Sequence, residues 1–339
     1  MLTAHPDGRQ NVKRLVRVSL ERGMDDDFLS TPREVHRTSN SSANGFPGKV
    51  FLNKTGLRAG WRLLIFVAIF SVLWTISIFV LGLFLRPAWG GFSPRFQFFG
   101  ESASFLAAFL AAWIMSQLEA RPIGVYGLPA RGVFGKQFWL GCLFGFGEIV
   151  ALIGLIAAFG GYSFGSMAEH GGAITKWALF WGAFFLVVGL FEEFFFRGYA
   201  LYTAAEGVGF WPAAVLLAVC FGAVHKQNSG EDWIGLAGVV FVGLFWSFTL
   251  KRTGSLWFAV GMHATFDFGE TFLFSVPDSG MIFPGHLSNA TLHGPKWLTG
   301  GTPGPEASIF DFLILAIFFF VFDRLYPAKQ EQKNSPTTE

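Results

Sequence analysis

The chain has 339 residues, of which 52% are hydrophobic and 14% charged, with a net charge of +2. A mean hydropathy of +0.46 with so few charges, against roughly 25% in soluble domains, excludes an ordinary soluble protein and indicates a polytopic membrane protein. Near-neutral charge offers nothing to nucleic acid. The two cysteines, Cys142 and Cys220, both in apolar runs, can build neither a disulfide framework nor a Cys-based zinc site.

In chain order, residues 1–56 read as a polar, disordered tail, with no apolar stretch of the kind a signal peptide needs. Eight apolar segments follow: Leu63–Leu85, Phe98–Leu118, Phe138–Phe159, Trp177–Thr203, Trp211–Val224, Trp233–Leu250, Leu256–Phe274 and Ser308–Leu325. The expected fold is an all-α polytopic bundle of about eight transmembrane helices. Several segments begin with Trp, a common interfacial anchor. The fifth is short for a span of about 20 residues and either extends through His225 or lies tilted inside the bundle. The 43 Phe suit lipid-facing bulk and the 42 Gly suit close helix contacts.

The expected organisation is the tail, an N-terminal hairpin over 57–137, a core over 138–275, an extracytoplasmic loop over 276–307, and a last helix with a polar tail over 308–339. Basic residues favour a cytoplasmic N-terminus, with Arg121, Arg131, Lys136, Lys251, Arg252 and Arg324 on that side and Arg95, Lys176, Lys226 and Lys296 opposite.

The run WALFWGAFFLVVGLFEEFFFRGYAL, Trp177–Leu201, carries Glu192, Glu193 and Arg197 where a span should be apolar. A buried charge there costs a few kcal/mol or more, so these residues point to function. Glu193 and Arg197 stand at i and i+4, acid first, and read as a structural ion pair. Glu192 projects about 100° away around the helix and is assigned to the reaction cavity. Further along, His225 ends one apolar segment, and His263 and Asp267 share a helix face at i and i+4. Glu192 and His225 meet at one level only if the fourth helix is long and the connection Glu206–Phe210 lies outside the core. Of the other acids, Glu148 reads as an interhelical hydrogen-bonding group and Glu101 as interfacial. Glu270 reads either as a further ligand or as a hydrated helix end.

No phosphate loop or HExxH is present, which removes those classes; Gly161–Gly165 matches Gly-x-Ser-x-Gly but lies between two apolar segments, without the strand-to-helix setting of a nucleophile elbow. A carboxylate beside an imidazole can take a proton from water, and a second imidazole can stabilise the oxyanion formed on a carbonyl. Alternatively, Glu192, His225, His263 and Asp267 can hold a divalent metal such as zinc that acidifies the water. Both alternatives lead to hydrolysis of a carbonyl, most naturally a peptide bond.

The ordered set EExxxR (Glu192, Glu193, Arg197), FxxxH (Phe221, His225) and HxxxD (His263, Asp267), preceded by LEARPIGVYGL (Leu118–Leu128), resembles the CPBP family of CAAX proteases and bacteriocin-processing proteins, also called the Abi family. The resemblance covers roughly Phe138 to Phe274. It implies an all-helical intramembrane peptidase, many relatives being called metallopeptidases. On it, Glu192 and His225 would activate water, His263 and Asp267 would form the oxyanion or metal site, and Phe221 would wall the cavity. Many members have Asn where this chain has Asp267. An ionised Asp would oppose an oxyanion, so Asp267 would act protonated, paired or metal-bound. The implied partners are a peptide or membrane-protein substrate and the bilayer of a prokaryotic plasma membrane. Two other functions compete with this one: a non-catalytic scaffold keeping the peptidase fold, and a proton-coupled transporter, for which the sequence shows no inverted repeat.

Overall fold

The computed structural model describes residues 52–53, 56–85 and 93–328. The tail expected over 1–56, apart from its last few residues, and the polar end after 328 lie outside the described residues. All eight apolar segments are helical. They are α1 (Ala59–Leu85), α2 (Pro94–Leu118), α3 (Lys136–Ala158), α4 (Gly172–Glu193) with its extension, α6 (Phe210–His225), α7 (Trp233–Thr253), α8 (Trp257–Phe268) and α10 (Ile309–Leu325); α9 (Lys296–Thr299) is a single turn. A π-helical segment, Phe194–Ala200, kinked at Gly198 (φ −77°, ψ −112°), joins α4 to α5 (Leu201–Val208), so the fourth apolar segment runs unbroken over 37 residues, Gly172–Val208. A second π turn, Gly269–Leu273, continues α8.

Five helices, α1, α2, α3, α4–α5 and α7, are long and apolar enough to cross a membrane, and α6 is a shorter apolar helix. The protein is an integral multi-pass membrane protein. Its outward surface fits that medium: α1 leaves Phe79, Leu83 and Phe84 exposed, Phe84 to 81%, a face stable against lipid tails rather than water. Strands among the described residues are limited to two-residue antiparallel pairs, β1 (Leu52–Asn53) with β2 (Gly56–Leu57) and β3 (Tyr162–Ser163) with β4 (Thr291–Leu292).

Local chemistry sets the helix ends. Asp232 caps α7 by accepting from the Ile234 and Gly235 amides at 2.9 and 3.3 Å, and Gly254 closes it with φ +69°. Ser308 caps α10 by accepting from the Phe310 amide. Between α5 and α6 the chain reverses on Gly209 alone, at φ +86°. The connection expected over Glu206–Phe210 is therefore mostly helix, and this extra length carries α4–α5 past the site.

The seam that fixes the site is made of glycine. α8 packs most extensively on α3 and then on α4. A Cβ added at Gly141 would stand 2.0 Å from the Phe258 carbonyl oxygen, one at Gly145 2.2 Å from that of Met262, and one at Gly261 2.2 Å from that of Phe138. The main chains of α3 and α8 touch because no side chain intervenes, as in small-xxx-small membrane contacts. Thr265 ties the seam by donating to the Cys142 carbonyl at 3.2 Å. Behind it, Phe245, Phe258 and Phe322 form a fully buried aromatic core with Trp246.

Candidate active site

Glu192 and Glu193 come from the last turn of α4, Arg197 from the π segment, Phe221 and His225 from α6, and His263 and Asp267 from α8. A cavity of about 340 Å³ is lined by Glu192, Phe221, His225, His263 and Asp267 together with Trp246. Neither Glu193 nor Arg197 belongs to its lining; both are buried, at 0% and 1% exposure.

His263 is the hub. Its Nδ1 lies 3.1 Å from Glu193 Oε1, and its Nε2 lies 3.3 Å from Asp267 Oδ2 and 3.6 Å from Glu192 Oε2. A carboxylate only accepts, so Nδ1–H donates to Glu193 and Nε2 is turned to the other two acids. Trp246 stacks on the ring at 4.5 Å and 18°, fixing its plane. His225 donates Nδ1–H to the Phe221 carbonyl at 2.8 Å, leaving Nε2 as the acceptor of that ring. The T-shaped contact of Phe221 with His225, at 4.6 Å, holds the imidazole from the side.

Glu193 has two partners. Besides His263 it accepts from Arg197 Nη1 at 3.1 Å. Arg197 makes up for a sparse set of hydrogen bonds with aromatic faces: its guanidinium carbon sits 4.1 Å from the Phe221 ring centroid and 5.4 Å from that of Trp246, a desolvated cation–π arrangement. Its Nη2 lies in the space a Cβ at Gly243 would enter, 2.4 Å away. The contact between Glu193 and His263, 70 positions apart, was not legible in the sequence; no helical spacing connects them.

The cavity is more acidic than the motifs indicate. Glu101 and Glu148 also line it, together with Glu270, Asp278, Glu306 and Asp311. Glu101 thus faces the interior of the bundle. Glu148 is 2% exposed and lies near Asp311, and Glu270, at 1% exposure, is no hydrated helix end. The segment after Phe274 folds back instead of forming a simple external loop. Ser279 N–H donates to Glu306 Oε1 at 2.7 Å, Asn228 Nδ2 to the Ser279 carbonyl at 2.9 Å, and Thr271 Oγ1 to Asp278 Oδ2 at 2.9 Å. Burial, reinforced by neighbouring acids, raises the Asp278 carboxyl well above its ordinary value, and burial brings Glu306 up to about 8.

By type, Glu192, His225, His263 and Asp267 are donors a divalent metal takes, but the ligand atoms that converge within 4.8 Å among the described residues are those of Asp267, Glu270 and Asp278. His225 Nε2 is an unprotonated imidazole nitrogen. His263 Nε2, opposed by two carboxylate oxygens, needs a proton or a cation between them. Glu192 Oε2 is buried and has no hydrogen-bond partner among the described residues. Two imidazoles with two carboxylates suit zinc and related ions.

Residues 174–269 match the family model for type II CAAX prenyl endopeptidases, Rce1-like. No curated protein and no solved structure matches the chain. The matched segment runs from α4 to the start of the second π turn, so it contains every member of the cluster around His263: Glu192, Glu193, Arg197, Phe221, His225 and Asp267. That segment, 174–269 of the 339 residues, is similar to the Rce1-like type II CAAX prenyl endopeptidases.

Proposed function

We propose that this protein is an intramembrane endopeptidase that hydrolyses a peptide bond with water activated by Glu192 and His225. The observation that carries the reading is the convergence of Glu192, Asp267 and Glu193 on one imidazole, His263, beside His225 in a single cavity. In the reaction, Glu192 takes a proton from water as the water oxygen bonds to the scissile carbonyl carbon. His225 Nε2 accepts from the other hydrogen of that water and orients it. Charge develops on the carbonyl oxygen, and a proton held between His263 Nε2 and Asp267 stabilises it. This gives Asp267 a role as a protonated or proton-sharing group rather than a free anion. Glu192 then returns its proton to the amine nitrogen as the C–N bond breaks. Glu193 touches no substrate in this scheme; bound to Arg197 and His263 Nδ1, it sets the tautomer and plane of the hub. A divalent metal held by Glu192, His225, His263 and Asp267 would supply acidification of the bound water.

The family description names CAAX prenyl endopeptidases, and the apolar, phenylalanine-rich walls of the cavity (Phe184, Phe185, Phe266) suit a peptide that is itself anchored in lipid. The test compares N- and C-termini of membrane proteins between cells carrying wild type and Glu192→Gln. Termini present in the wild type and missing in the variant are expected, and such a peptide should be cleaved by the purified protein in liposomes. Identical sets of termini would remove the peptidase reading.

A further inference from the structure

Beside the imidazole cluster, the same cavity holds a second group of different chemistry. Asp267, Glu270 and Asp278 bring one carboxylate oxygen each to within 4.8 Å of one another. Glu192, His225 and His263 are not in this group. The π turn Gly269–Leu273 carries Glu270 inward, and the chain reverses at Ser275, φ +57°, to return Asp278 to the same place. No Lys or Arg lines the cavity among the described residues. Three carboxylates this close, two of them nearly dry, cannot all be ionised without a counter-charge.

Acids alone do not make a site, but unpartnered oxygens aim at this one. Glu270 Oε1, in a residue 1% exposed, has no hydrogen-bond partner among the described residues. Glu306 is not one of the three; it is 8% exposed and lines the same cavity, and while its Oε1 is engaged by the Ser279 amide, its Oε2 has no hydrogen-bonded donor. Glu270 and Glu306 lie within hydrogen-bond reach of each other, a contact that two ionised carboxylates keep only with a proton or a cation between them. Buried carboxylate oxygens are costly unless something fills their lone pairs.

We propose that Asp267, Glu270 and Asp278, with Glu306 beside them, form a binding site for a hard divalent cation. An all-oxygen, all-anionic set selects calcium, magnesium or manganese over zinc, which prefers nitrogen and sulfur. The site is thus separate in chemistry from the imidazole-containing cluster and shares only Asp267 with it. A cation there would hold Asp267 ionised and bound on one side while His263 faces it on the other, and would pin the segment 275–280 to the end of α8. Glu270, Asp278 and Glu306 lie beyond the segment that matches the family model.

The test is titration of Mn²⁺ into the purified, chelator-stripped full-length protein in lipid nanodiscs, followed by electron paramagnetic resonance of free Mn²⁺, with Ca²⁺ and Mg²⁺ as competitors. The wild type is expected to bind saturably at one hard-cation site per chain, any ion held by Glu192, His225 and His263 counting as a separate site that Glu192→Gln and His225→Ala remove. Glu270→Gln and Asp278→Asn should each weaken binding at the hard-cation site by about tenfold or more, since affinity follows ligand charge. Glu192→Gln and His225→Ala should leave it within about twofold. Absence of saturable binding by the wild type overturns the proposal whatever the variants do, and means that the acids are neutralised by protons. Binding lost in His225→Ala but kept in Glu270→Gln overturns it too, because the ion then sits on the imidazoles. Proteolysis is measured separately, so loss of the peptidase reading leaves this result standing, and the reverse also holds.

Discussion

Glu192 and Glu206 stand on the same apolar segment, 14 residues apart and on either side of the kink at Gly198, and their surroundings are opposite. Glu206 accepts from Arg62 and Arg121, each at 2.5 Å. Glu119 nearby takes both Arg62 and the Tyr199 hydroxyl, and Arg121 also reaches the Tyr202 hydroxyl at 2.9 Å. This clasp joins α1, the end of α2 and α5, and its side chains keep 11–27% exposure. On the other side of the kink, Glu192 faces a cavity whose lining holds eight carboxyl groups and no Lys or Arg. Paired charge at a half-wetted rim holds helices together cheaply. Glu192 is itself 21% exposed, so the difference is not wetness but pairing: acid with no Lys or Arg beside it stabilises nothing, and its persistence marks the part of the molecule where protons or cations are handled.

Four substitutions separate the two regions. Glu192→Gln should lower cleavage by about 10²–10⁴-fold, the range for loss of a general base, with an unchanged thermal unfolding profile in detergent; a variant that keeps wild-type turnover would place the base elsewhere. Arg197→Met leaves Glu193 buried without its cation, and breaking such a pair costs about 3–5 kcal/mol, read as a large fall in Tm. Gly145→Ala forces a methyl group against the Met262 carbonyl, an overpacking cost of about 1–3 kcal/mol, and should reduce activity and Tm together because α8 carries His263. Glu206→Gln, at the wet rim, should cost about 1 kcal/mol or less, with cleavage kept and the difference from wild type shrinking as salt is raised. A Tm loss for Glu206→Gln as large as that for Arg197→Met would erase the contrast between rim and interior.

The helices were legible because each is an apolar run of membrane length, and the cluster was legible in part. EExxxR, FxxxH and HxxxD name residues that meet on His263, since helical spacing dictates which of them share a face. Glu193 shows the limit. Spacing gives its bond to Arg197, but its bond to His263 depends on how α4 lies against α8, which the glycine seam decides and no periodicity declares. The second half of the acidic lining was hidden for another reason. Asp278 and Glu306 sit in a Gly- and Pro-rich stretch that composition assigns to an external loop, whereas backbone bonds such as Gly280 N–H to the Pro303 carbonyl at 2.6 Å and Gly230 N–H to the Gly280 carbonyl at 3.1 Å fold it into the bundle. Likewise LEARPIGVYGL gave no hint that Glu119 and Arg121 would be clasp residues, because their partners come from α1 and α5.

The contact of Gly141 and Gly145 with α8 acts as a mechanical datum. Where two helices are spaced by side chains, a rotamer change or a neighbouring mutation can alter their separation by an ångström. Here the spacing is set by main-chain atoms in contact, which have no rotamers to change. The position of His263 relative to the bundle is therefore insulated from the many exposed phenylalanines and leucines on the outer surface. Those lipid-facing positions are free to vary with the thickness and composition of the host membrane while the interior geometry stays fixed.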